Sequence, residues 1–213
     1  MDGRADTLPE LDHPRFDGTD SFDQLGSFLA DCSRRPDLAK YVRRARRAAE
    51  VMLTRIQELF PGASRVEPAR WSTAVTAGVM LLAEQLVRPR GSDIPFSLDP
   101  FYIRLRWRKR NPAFAALHHA AWVAARAYRT NDAARRSAAL VIFGTTIEEL
   151  VFGASGWVHN PELAIALARS ALVAARCFVL DASVFYASDV LDVTPEVVAL
   201  IEALNQDAIE NRG

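Results

Sequence analysis

Residues 163–180 read LAIALARSALVAARCFVL, and this stretch decides the fold class. Its alanine, leucine and valine side chains leave almost no polar face, which indicates a helix buried in a large core or against a partner. Asn160 and Pro161 stand just before it, a pair typical of a helix start, because asparagine caps free backbone N–H groups and proline tolerates the first turn. Arg169 and Arg176 interrupt the apolar run, so it lacks the roughly 20 mostly apolar residues that a membrane span needs.

Three further segments share this alanine-rich, apolar character, and each predicts another buried helix. They cover residues 68–87, 112–129 and 132–152, while the quoted stretch predicts a helix over residues 161–187. We expect the core that these helices form to bury five large apolar side chains, namely Trp122, Leu140, Ile147, Leu172 and Phe178.

Other segments have a single apolar stripe, which is the pattern of a helix at the edge of a core. The clearest spans residues 37–60, a shorter helix around residues 22–32 precedes it, and a last one covers residues 195–209. In residues 101–108, FYIRLRWR, apolar and polar side chains alternate with the period of a strand. The preceding Asp99 and Pro100 favour a helix start, so this stretch is interpreted as a helix, with a strand as the alternative.

Taken together, these patterns predict an all-α protein, a single-domain bundle of about seven to nine helices with buried alanine-rich central helices. We expect an acidic, partly flexible N-terminal segment over residues 1–18, one helical domain over residues 19–209 and a flexible tail over residues 210–213. The N-terminus has no apolar leader, and the two distant cysteines, Cys32 and Cys177, fit a reducing compartment. The sequence therefore predicts a cytoplasmic protein without a membrane span.

Charge is unevenly distributed along a chain whose formal net charge is zero. Residues 34–60 contain eight basic and three acidic side chains, and residues 104–136 contain nine basic and one acidic. Residues 1–33 and 137–213 are acidic, with net charges of −6 and −7. Two explanations are open: the acidic ends neutralise the basic segments through weak solvated pairs, or the basic segments form a surface that attracts an anionic partner.

The sequence RLRWRKR, residues 104–110, concentrates this charge, because five cations surround Trp107. We expect this stretch and the polar side of the 37–60 helix to bind an acidic protein partner, or else this chain's own acidic C-terminal region. The predicted partner-binding residues are Arg43, Arg44, Arg47, Arg104, Arg106, Trp107, Arg108, Lys109 and Arg110. The alternative partner is a nucleic acid bound by residues 34–60 and 104–136, since cations neutralise phosphates and tryptophan stacks on bases.

No catalytic or metal-binding motif is present in the sequence, and no cofactor is expected. Glu148 and Glu149 lie in an apolar helix, where a carboxylate is expected to be paired, with Arg126 or Arg176 as the candidate partner. A cryptic active site in the helical bundle, built from His118, Glu148 and Glu149, is the alternative. The sequence favours a non-enzymatic helical interaction protein, such as an adaptor, an immunity-type inhibitor or a secretion-accessory protein, and leaves the oligomeric state open.

Overall fold

In a computed structural model of the chain, residues 19–87, 112–153 and 160–179 are described, together with the three helical positions 202, 205 and 206. The three continuous stretches form six α-helices and one short 3-10 helix, and no strand occurs in them. The prediction of an all-α fold is confirmed for this part of the chain. The elements are α1 (Thr19–Arg34), α2 (Pro36–Leu59), the 3-10 helix (Pro61–Arg65), α3 (Pro68–Val87), α4 (Pro112–Tyr128), α5 (Ala133–Phe152) and α6 (Pro161–Val179).

Helix α3 lies at the centre of the described bundle, because it packs against each of the other five α-helices. Residues 74–85 are buried without interruption, which accounts for the absence of a polar stripe in this segment of the sequence. Trp71 is fully buried, and its indole N–H donates to the carbonyl oxygen of Ala49 in α2 at 2.8 Å. That hydrogen bond satisfies the polar atom of the largest core side chain.

Helices α5 and α6 approach each other most tightly at Gly144. A Cβ atom added to Gly144 would lie 1.7 Å from the carbonyl oxygen of Ala164, so a side chain cannot be accommodated at this separation. Helix α5 also packs against α4. It therefore forms the middle of a three-helix layer, α4–α5–α6, beside the central α3.

Local capping explains where several helices begin. The Asp132 carboxylate accepts a hydrogen bond from the backbone N–H of Arg135 at 3.1 Å. The side-chain oxygen of Asn160 accepts from the N–H groups of Glu162 and Leu163 at 3.0 and 3.2 Å. The predicted cap at Asn160 is therefore confirmed, and Asp132 caps the helix predicted over residues 132–152. The sequence also predicts caps at Asp99, Asn111 and Thr194, which lie outside the described residues.

Glycine and an arginine from another helix end α5. Gly153 has a φ of 64°, a backbone conformation that other residues adopt only with strain. Its N–H donates to the carbonyl oxygen of Glu149 at 2.7 Å. Arg70 of α3 donates from Nε to the carbonyl oxygen of Leu150 at 3.2 Å. Both contacts satisfy carbonyl groups that the last turn of a helix leaves without an intrahelical donor.

The predicted core is confirmed for Ile147, Leu172 and Phe178, which are all buried. Leu140 is only partly buried. The prediction for Trp122 is wrong, because 42 % of this side chain is exposed. Trp122 lies on the outer side of α4 and contacts two residues of the same helix. Its ring stacks on His119 at 5.9 Å, and the Arg126 guanidinium lies over it at 5.2 Å.

Several sequence predictions concern residues that the structure does not describe. The predicted segments at 1–18, 101–108 and 210–213 lie outside the described residues, and the last predicted helix is represented by positions 202, 205 and 206 alone. The C-terminal part of the predicted 161–187 helix beyond Val179 is also outside them. Among the helices that are described, none combines the length and hydrophobicity required to cross a membrane.

Candidate functional site

Helix α2 has one buried side and one strongly basic side. Its buried residues are Leu38, Tyr41, Val42, Ala45, Ala48, Ala49, Met52 and Ile56. Between Asp37 and Glu50 the helix contains five cations and no acid. Four of these cations are exposed, and they define the basic face of α2: Lys40, Arg43, Arg46 and Arg47.

The cations of α2 differ in what they contact. The guanidinium of Arg44 lies over the ring of Phe178 in α6 at 5.5 Å, and this side chain is half-buried. Arg47 forms an ion pair with Glu50 at 3.2 Å. For Arg43 and Arg46, the described part of the chain contains no ion pair. Of the predicted binding residues, Arg43 and Arg47 thus lie on the exposed face, whereas Arg44 contributes to helix packing.

Arg46 was not among the predicted binding residues. At 100° per residue it lies beside Arg43 rather than on the line that Lys40, Arg43 and Arg47 form. The sequence pattern alone did not show how far the exposed side of α2 extends, and the structure shows that Arg46 is exposed.

The second basic segment is described only from residue 112 onwards, so Arg104, Arg106, Trp107, Arg108, Lys109 and Arg110 lie outside the described residues. Three of the described cations in this segment contact oxygen atoms of other residues. Arg129 donates to the carbonyl oxygens of Gln85 and Leu86 at 2.7 and 3.0 Å, at the end of α3. Arg136 donates to the carbonyl oxygen of Thr130, and Arg135 pairs with Asp132 at 3.3 Å.

The three residues of the alternative active site have contacts that support packing. His118 is buried, and its Nε2 lies 3.2 Å from Nε2 of Gln85 in α3. Glu148 is buried, and its Oε1 accepts a hydrogen bond at 3.1 Å from the backbone N–H of Asn160, at the start of α6. Glu148 therefore connects α5 to α6, and Glu149 next to it is half-buried.

The predicted arginine partners of these carboxylates have ring contacts. Arg126 lies over Trp122 as described above, and the guanidinium of Arg176 lies 5.2 Å from the ring centre of Tyr128. No group of three or more His, Cys, Asp or Glu side chains in the described residues is arranged to hold a metal ion.

A partly enclosed cavity of about 170 Å³ lies between α4, α5 and α6. Its lining combines two arginines, two hydroxyl groups and an apolar wall, and comprises Ala124, Tyr128, Ala133, Arg136, Ser137, Leu140, Arg169 and Leu172. No carboxylate is among these residues. The sequence did not predict this cavity, because its lining comes from three helices; the one hint was Arg169 within the otherwise apolar 163–180 stretch.

The basic face of α2 and the cavity are therefore two separate candidate sites, since the described lining residues of the cavity all lie in α4, α5 and α6. Either site offers positive charge to a ligand. Comparison of the chain with known proteins finds no match: no family model, no curated protein and no solved structure is similar to it.

Proposed function

We propose that this protein is a non-enzymatic interaction protein that binds an acidic protein partner through the basic face of α2. The observation that carries the proposal is the run of five cations without an acid between Asp37 and Glu50, four of them exposed. Positive potential of this kind attracts an anionic surface and orients it during encounter.

Arg43 and Arg46 of this face have no ion pair in the described residues, which distinguishes them from Arg47, paired with Glu50, and from the cations that flank the face. Arg34 pairs with Asp31 at 3.1 Å, Arg35 with Asp37 at 2.7 Å and Arg55 with Glu58 at 2.5 Å, so nearby carboxylates neutralise the neighbouring cations. Such local pairs are the ordinary arrangement on a solvated helix. The middle of α2 departs from that arrangement.

Like charges at these spacings act against the helix itself. Lys40 and Arg43 are three residues apart, and Arg43 is three and four residues from Arg46 and Arg47. Each such pair destabilises a helix by about 0.2–0.5 kcal/mol. An acidic partner would relieve this repulsion. Binding therefore accounts for a charge pattern that does not stabilise the folded helix.

The surroundings of the face favour protein carboxylates over nucleic acid. Binding to single-stranded nucleic acid relies on exposed aromatic rings on which bases stack. The aromatic ring beside Lys40 belongs to Tyr41, which is buried, and the ring beside Arg44 belongs to Phe178, which is also buried. An exposed aromatic ring is therefore missing from the described part of this surface.

The proposal extends to the whole chain and its setting. We propose a single bundle of about seven to nine helices, with the alanine-rich helices at its centre, acting in the cytoplasm. Buried alanines such as Ala77, Ala121 and Ala168 support the central position of these helices. The two free, buried cysteines support a reducing compartment.

The experiment compares two variants that change the net charge equally. In the face variant, Arg43→Glu and Arg46→Glu reverse two exposed arginines of the basic face that have no ion pair in the described residues. In the control variant, Arg65→Glu and Arg135→Glu reverse two exposed cations elsewhere. Binding of a fluorescent peptide rich in Glu and Asp, and of a single-stranded DNA of equal length, is measured at physiological ionic strength.

We expect the face variant to bind the acidic peptide about tenfold more weakly than the control variant, and wild-type binding to weaken as salt is added. Equal losses in both variants would mean that net charge alone governs binding, which contradicts the proposal. Tighter binding of the DNA that also depends on Arg43 and Arg46 would favour the nucleic-acid alternative.

A further inference from the structure

The cavity between α4, α5 and α6 has the chemistry of a site for a small organic anion. Its volume of about 170 Å³ is close to that of an apolar protein cavity that holds one benzene-sized molecule, about 150 Å³. We propose that it binds a carboxylate whose apolar body is the size of one six-membered ring or a short alkyl chain. This ligand site is separate from the partner surface on α2.

Positive charge is concentrated in the cavity. Arg136 of α5 and Arg169 of α6 both line it, and no carboxylate is among the lining residues that the structure describes. A carboxylate bound in this partly enclosed space would contact guanidinium groups, which hold carboxylates through short, charge-assisted hydrogen bonds.

Arg136 provides a hydrogen-bond donor that the described residues leave unused. Its Nη2 donates to the carbonyl oxygen of Thr130, which holds the guanidinium in place. Its Nε is shielded from solvent and has no hydrogen-bond acceptor in the part of the chain that the structure describes. Buried donors without an acceptor are uncommon in folded proteins, and a ligand oxygen would satisfy this one.

The other walls indicate what the rest of the ligand is. Leu140, Leu172 and Ala124 form an apolar surface, and Ser137 and Tyr128 add hydroxyl groups to the lining. An apolar wall of this kind gains free energy from a hydrocarbon body and none from a small hydrated ion such as phosphate. The combination therefore favours a carboxylate with an apolar body over an inorganic anion.

The test uses the full chain and four probes: benzoate, hexanoate, benzamide and inorganic phosphate. Binding is measured by isothermal titration calorimetry. We expect benzoate or hexanoate to bind saturably, with benzoate at least about tenfold tighter than its neutral analogue benzamide, because the charge-assisted hydrogen bond is lost in the amide. No binding of either carboxylate, equal binding of benzamide, or tighter binding of phosphate would overturn the proposal.

Variants connect the binding to this cavity. Arg136→Gln should weaken carboxylate binding about tenfold, whereas Arg135→Gln should not change it, because 74 % of the Arg135 side chain is exposed and it lies outside the lining. Because Arg136 also donates to Thr130, its substitution could act through the fold. A second pair of variants, at two serines, therefore tests the cavity without changing Arg136. Ser137→Leu should fill the cavity and abolish binding, while Ser27→Leu, at an exposed serine of α1, should leave it unchanged.

These outcomes are independent of the partner surface. The face variant Arg43→Glu with Arg46→Glu should bind the carboxylate like the wild type, because the cavity lining contains no residue of α2. Carboxylate binding that survives Ser137→Leu would place the ligand elsewhere and overturn the assignment of this cavity.

Discussion

Gly144 is the residue at which the distance between two helices is fixed, because an added Cβ would lie 1.7 Å from the carbonyl oxygen of Ala164. Gly144→Ala should therefore lower the free energy of unfolding by about 1–3 kcal/mol or more through overpacking. Gly26, inside α1, has no atom within 4 Å of an added Cβ, so Gly26→Ala should raise the free energy of unfolding by about 0.5–1 kcal/mol. Urea denaturation measures both, and a Gly144→Ala protein as stable as wild type would contradict the close approach.

The buried thiols predict a loss of stability at high pH. Burial is the main cause that raises the pKa of Cys32 and that of Cys177, each to about 12. In the unfolded chain the pKa of a cysteine is about 8.5. A pKa raised in the folded state stabilises the protein below the unfolded pKa, and this stabilisation is lost as pH rises towards the folded pKa. Between pH 7 and pH 10 we expect each thiol to lower the free energy of unfolding by about 1–2 kcal/mol.

The double variant Cys32→Ala with Cys177→Ala isolates this effect from other groups that titrate at high pH. Its free energy of unfolding, measured by urea denaturation at several pH values, should fall less steeply with pH than that of the wild type. Identical pH dependence in the two proteins would show that the thiols are not buried as described.

The residues at which helices begin were predictable from the sequence. Contacts in which a side chain distant in sequence caps a helix end were not. Proline and capping residues act within a turn, so the predicted starts at residues 68, 112 and 161 are confirmed, and the start near residue 132 is confirmed to within one residue. By contrast, Arg129 binds the end of α3 through carbonyl oxygens more than forty residues away in sequence. The sequence places Arg129 in the basic segment 104–136 and gives no means of finding its acceptors.

Arg129 should therefore behave as a structural residue within the second basic segment. Arg129→Gln removes charge and hydrogen bonds from the C-terminus of α3 and should lower the free energy of unfolding by about 1 kcal/mol. Arg46→Gln, at an exposed residue without an ion pair in the described part of the chain, should change it by less than about 0.5 kcal/mol. Equal effects of the two substitutions on the denaturation midpoint would contradict the capping role.

In the described bundle, apolar composition predicted several buried side chains but did not predict which side of each helix faces the core. Ile147, Leu172 and Phe178 are buried as expected, since α5 and α6 are apolar nearly all round. Trp122 is exposed because alanines cover the inner side of α4, and small residues satisfy close packing without a bulky neighbour. The cavity was not predictable for a related reason: it depends on how three helices meet, which local sequence does not specify.

Among the cations of the described bundle, one group contacts backbone carbonyl oxygens and another lies on the exposed face of α2. Arg70, Arg129 and Arg136 donate to backbone carbonyl oxygens and hold helix ends in place. The basic face of α2 makes no such contact at Arg43 and Arg46 in the residues that the structure describes. We propose that Arg43 and Arg46 recognise an acidic partner and do not hold the fold together.

Affinity capture from nuclease-treated extracts of the cells that make the protein tests this claim most directly. The measured quantity is the amount of each protein retained by the wild type, by the face variant (Arg43→Glu, Arg46→Glu) and by the control variant (Arg65→Glu, Arg135→Glu). We expect a protein partner that the wild type and the control variant retain equally, and that the face variant retains about tenfold less. Equal retention by the face variant and the control variant would contradict it.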